Sequence, residues 1–87
     1  MSGAVRMSQD SAGGTLIQGS SDVFTNGTAQ VRKGDAVQGH GSGVHSGPVM
    51  AEGAKTVIVN GIPACHEGHK ATCGHPATGS STVFIGD

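Results

Sequence analysis

With 87 residues the chain has room for one domain, and with 34% apolar residues, two phenylalanines and no tryptophan or tyrosine its core must be built of Val, Ile, Leu, Ala and Met. A formal net charge of −1, without a basic stripe or an aromatic platform, excludes nucleic-acid binding, and no apolar run approaches the roughly 20 residues of a membrane span. The sixteen glycines argue for turns and against long helices, because each interior glycine costs a helix about 1 kcal/mol.

In chain order, "MSGAVRMSQDSAGG" (1–14) has no apolar segment of signal-peptide length. The chain is therefore expected to be made in the cytoplasm, where paired thiols more often ligate metal than form disulfides. "GSSDVFTNG" (19–27) then carries β-branched and aromatic residues into Asn26-Gly27, a dipeptide suited to a two-residue type I′ turn, both of whose central positions need φ > 0. "AQVRKGDAVQGHG" (29–41) follows, and 50–55 ("MAEGAK") could make a helical turn at most. "GAKTVIVNG" (53–61) and "PACHEGHKATCGH" (63–75) repeat the two earlier segments at an offset of 34 residues, aligning Gly19 with Gly53, Val23 with Val57, Phe24 with Ile58 and Asn26-Gly27 with Asn60-Gly61. Pro63, just after the second turn, suits an edge position. "GSSTVFIGD" (79–87) repeats the first half of the unit, and "RMSQDSAGG" (6–14) supplies its missing part, with Asp10 in the place of Asp35 and His69.

A fixed period in this range is an architectural signature. The expected structure is an all-β domain over residues 1–87, built of short hairpins in three repeats. One repeat is split between the termini, so that the first and last segments pair and close a ring. Leu16, Ile17, Val49 and Met50 precede the repeated strands and are candidates for core or for an end face.

A core this small supplies only about 3–5 kcal/mol and calls for a staple, either a Cys65–Cys73 disulfide or a metal. Residues 65–75 gather both cysteines and three of the five histidines. Two residues there depart from their own repeat: His69 stands where the others have aspartate, and Cys73 stands over Gly39. His40 and His45 lie at the matching bend one unit earlier. If the two bends meet, His40, His45, His69 and Cys73 would close a tetrahedral zinc site with no open position, which marks a structural rather than a catalytic metal. His75 is the alternative fourth ligand. Cys65 and His66 are weaker candidates because neighbours on a strand face opposite sides, and Cys65 suits a small buried position. A Cys–His nucleophile would need a cleft, an orienting group and an oxyanion site, and the phosphate-loop pattern GxxxxGK[ST] is absent, so no catalytic residue is assigned.

"VNGIPACHEGHKATCGH", with the repeated Asn-Gly and Gly-Asp pairs and the closing "GSSTVFIGD", resembles the PAAR-repeat proteins over nearly the whole chain. The resemblance implies a small cone of pseudo-threefold repeats. Such a cone caps and sharpens a trimeric β-helical spike, VgrG-like or of a contractile phage tail, one copy per trimer. It implies a zinc near the point, held by three histidines and one cysteine, with His45, His69 and Cys73 at matching positions. Ala12 stands where many members carry a histidine, and His40 is the replacement the sequence offers. It also implies transient contact with a target membrane, outward delivery by a type VI secretion system or a virion, and effector cargo. The competing function is a stand-alone zinc-binding β module that sequesters or senses the metal.

Overall fold

The computed structural model describes residues 2–86; Met1 and Asp87, at the ends of the expected domain and of the third repeat's strand, lie outside the described residues. It is all-β: eight two-residue strands join as four antiparallel pairs, and among the described residues the only helical turn is a single 3-10 turn at Gly43–His45. The segment 50–55 forms no helical turn. β2 (Ser11–Ala12) pairs with β3 (Gly14–Thr15); β4 (Phe24–Thr25) pairs with β5 (Thr28–Ala29), and β6 (Ile58–Val59) with β7 (Ile62–Pro63), across the two Asn-Gly turns. Both turns have φ > 0 at Asn and Gly (53° and 80°, 56° and 76°), as a type I′ turn demands. The third equivalent pair joins the chain ends, β1 (Ser2–Gly3) against β8 (Phe84–Ile85). The split repeat therefore closes the ring and leaves its terminal strands no open edge between them.

Strands this short hold together through a ring of equivalent hydrogen bonds between repeats. Val5 N–H donates to Cys65 O (3.1 Å), Cys65 N–H to Val31 O (3.0 Å) and Val31 N–H to Val5 O (3.0 Å), and all three side chains are fully buried. A second cyclic set runs from Met7, Lys33 and Glu67 N–H to Ala29, Pro63 and Gly3 O, at 2.7–2.9 Å. Beyond these rings Leu16, Val37, Met50, Ala12, Ala71 and Ala77 complete the main core, while Ala4, Ala54, Val59, Ala64 and Ile85 form a smaller one under the hairpins. Leu16 and Met50 are thus core, whereas Ile17 is exposed.

Each repeat next makes a side-chain clamp on its own backbone. Arg6 N–H donates to Asp10 Oδ2 and Arg32 N–H to Asp35 Oδ2, both at 2.8 Å, and each arginine side chain returns to the same carboxylate at 2.9 Å. The third clamp has the same backbone bond with different chemistry: His66 N–H donates to His69 Nδ1 at 3.0 Å, and the two rings stack with centroids 3.7 Å apart.

Burial pushes the Asp10 carboxyl up, but the Arg6 side chain and N–H and the Thr78 hydroxyl outweigh it, and the group ends below its ordinary value. A carboxylate held below its unfolded value of about 3.9 stabilises the fold above that pH, and the contribution drains away as pH falls through the lower folded value. Thermal melts in acid should therefore show stability falling below about pH 4, with a shallower fall in Asp10→Asn, which has no carboxylate to protonate. Identical acid slopes for the two proteins would remove Asp10 from the account. Asp10→Ala, which strands the Arg6 N–H, should cost about 1–3 kcal/mol at neutral pH.

Candidate metal centre

Past the clamps, two loops bring four soft side chains together. The first loop closes where His40 N–H donates to His45 O at 2.8 Å, with the 3-10 turn Gly43–His45 inside it. The second closes where Ala71 N–H donates to His75 O (3.0 Å) and Gly74 N–H to Ala71 O (2.9 Å), with Gly74 at φ +89°. This tight turn puts Cys73 and His75 on one side. One ligand atom from each of His40, His45, Cys73 and His75 lies within 4.8 Å of the others.

Three of the six separations are close to those around a tetrahedral ion. His40 Nε2 is 3.1 Å from both His45 Nδ1 and His75 Nδ1, and Cys73 Sγ is 3.5 Å from His75 Nδ1. Zinc bond lengths give tetrahedral edges of about 3.3–3.4 Å between nitrogens and about 3.6 Å between nitrogen and sulfur. His40 is also aimed. Its Nδ1 lies 3.1 Å from Gln38 O; a carbonyl only accepts, so Nδ1 carries the proton and Nε2 turns a bare lone pair on the group. Three imidazoles and a thiol in this arrangement can hold a metal ion.

The PAAR motif family model matches this chain over residues 8–74 and again over 38–87. The chain belongs to the PAAR family. It is also 42% identical over 81 residues, 84% of its own length, to the NAD(P)(+) glycohydrolase toxin Tse6 of Pseudomonas aeruginosa PAO1 and to the (p)ppApp synthetase toxin Tas1 of Pseudomonas aeruginosa UCBPP-PA14. The alignment covers 19% and 18% of those proteins, so the chain spans about a fifth of the relatives it matches. Among the described residues no helix is long and apolar enough to cross a membrane.

Of the residues picked out in the sequence, His40, His45 and Cys73 come together, and His75 joins them. His69 is not one of these four. It occupies the aspartate place of the third PAAR clamp, where its Nδ1 accepts the His66 N–H. Its difference from the other repeats thus has a local partner, His66, which differs from Arg6 and Arg32 in the same way. The signal for His75 was of the kind used for Cys73, since it falls on Gly41 at the 34-residue offset. Cys65 is fully buried in the ring with Val5 and Val31, and its thiol, a donor to Glu52 O at 3.2 Å, is pushed up to about 12 by burial and by the carboxylates of Asp35 and Glu52. Both cysteines are free thiols. Ala12, at the position where many PAAR proteins carry a histidine, is fully buried, and only its carbonyl reaches the group, 3.9 Å from Cys73 Sγ.

A set of exposed apolar side chains, not marked in the sequence, also repeats. Phe24, Ile58 and Phe84, at one equivalent position in each repeat, are 60%, 53% and 50% exposed. Their strand neighbours Thr25, Val59 and Ile85 are buried, so strand alternation turns one large apolar side chain per repeat outward.

Proposed function

We propose that this PAAR chain is the zinc-stapled tip of a trimeric β-helical spike in a contractile injection machine. Its role is mechanical and adaptor-like, without catalysis of its own. The observation that carries this reading is the repeated exposure of Phe24, Ile58 and Phe84 around one pseudo-threefold fold. Isolated surface apolar residues are ordinary, but a set repeated by symmetry points to a partner surface. One chain with three similar faces can meet three equivalent surfaces of a trimer end. A zinc held by His40, His45, Cys73 and His75 would serve the same role: it would tie loops where the chain is too short to bury a core, and a four-ligand site would leave no position for substrate.

In this reading the chain is made in the cytoplasm and leaves the cell on the spike, touching the target membrane only in passage. The toxin relatives, of which it matches about a fifth, support a tip that travels with effector cargo, and cargo chemistry belongs to other segments or bound partners. Native mass spectrometry of the chain mixed with a VgrG-like trimeric spike tests the proposal. One chain per spike trimer is expected; no complex, or three chains per trimer, would defeat it.

A further inference from the structure

The metal group takes two ligands from each of two repeats. The third repeat reaches it at Ala12–Gly14 and offers no ligand side chain. We infer that Gly13 is the positioning residue of the metal centre: by lacking a side chain, it lets His40 and His75 sit at ligand distance. This rests on the metal reading above and deepens it.

A Cβ at Gly13 would lie 2.2 Å from His75 Nδ1 and 2.7 Å from His40 Nε2, two of the ligand atoms themselves. No real contact is that short, so at least one ring must leave its place. The His40 ring is anchored by Gln38 O, and the Ala71 turn fixes the main chain of His75. The His75 ring, nearer to the new Cβ, can yield only by swinging about its side-chain bonds, which takes Nδ1 from its place beside His40 Nε2 and Cys73 Sγ. Gly14 extends the same surface: a Cβ there would meet Gln38 O at 2.2 Å, the carbonyl that fixes the His40 tautomer. The third repeat thus gives the site a wall of bare backbone where the other two give side chains.

Gly13 has φ +85°, so alanine there is strained apart from any clash. Gly34 separates the two effects. Its φ is +90°, and a Cβ on it meets nothing within 4 Å. Gly34→Ala therefore carries the backbone strain alone. The experiment titrates the wild-type chain, Gly13→Ala and Gly34→Ala with Co2+ and with Zn2+ against a competing chelator, recording the visible Co2+ spectrum. The wild type and Gly34→Ala should bind one ion with affinities within about threefold, while Gly13→Ala binds about 10–100-fold more weakly, the range for disturbed ligand orientation, with weakened tetrahedral Co2+ bands. Equal affinities and spectra for Gly13→Ala and Gly34→Ala would overturn the inference and leave the metal site standing. A wild type that binds neither ion would overturn the metal reading first and this with it. Should Gly13→Ala fail to fold, it and Gly34→Ala are folded in an excluded osmolyte and titrated with Co2+ there: weaker binding by Gly13→Ala is expected, and equal affinities would refute the contact.

Discussion

Elemental mass spectrometry of the purified chain should find about one zinc per molecule, and Cys73→Ala and His75→Ala should each lose it while His69→Ala retains it. The first two remove an atom from a group whose members lie within 4.8 Å of one another. Disturbing only the orientation of a ligand costs about 10–100-fold in affinity, so removing a ligand should cost at least about 100-fold. At fixed metal that is about 2.7 kcal/mol, or a fall in Tm of roughly 10–20 °C for a domain of this size. His69→Ala instead breaks the third clamp, whose Nδ1 accepts a backbone N–H, and should cost about 1 kcal/mol with zinc retained. The opposite pattern, zinc lost in His69→Ala and kept in His75→Ala, would restore the ligand set His40, His45, His69 and Cys73. A metal-free, well-folded wild type would remove the staple altogether.

The second large effect belongs to the hairpins. Phe24→Asp and Phe84→Asp should each weaken binding to the trimeric spike by about 30-fold or more, the loss that follows from an interface anchor worth about 2 kcal/mol. The folded chain itself should barely notice, because both side chains are at least half exposed and exposed substitutions usually stay within about 0.5 kcal/mol. Val44, 62% exposed on the turn between His40 and His45, is the matched control. Val44→Asp should leave spike binding unchanged if the partner seats on the hairpins. Binding that survives both phenylalanine changes and fails in Val44→Asp would move the docking surface to the metal end.

The repeat, the hairpins and the ring closure were legible in the residues for local reasons. An Asn-Gly pair between β-branched runs specifies a turn through its own φ preferences, and two such pairs 34 residues apart specify a repeated turn. Asp10 and Asp35 were likewise aligned before their clamps were visible. The candidate metal group was legible only in part. A departure from the repeat marked His69 and Cys73 equally, and both could be read as ligands because linear spacing says nothing of what faces a side chain.

Sequence by itself thus determined an all-β chain of three repeats, one split between the termini, with histidines and a cysteine concentrated at two bends. Tertiary structure decided which of those side chains meet. It turned His69 onto the His66 backbone and His75 toward His40 and Cys73, and it set Gly13 against the ligand atoms. It also turned Phe24, Ile58 and Phe84 outward, one in each repeat. The physical reason is the same in each case. Turn and strand preferences act between neighbours in the chain, whereas ligand distances and exposed faces depend on loops some 30–60 residues apart, whose approach is fixed only when the rings of hydrogen bonds between repeats close.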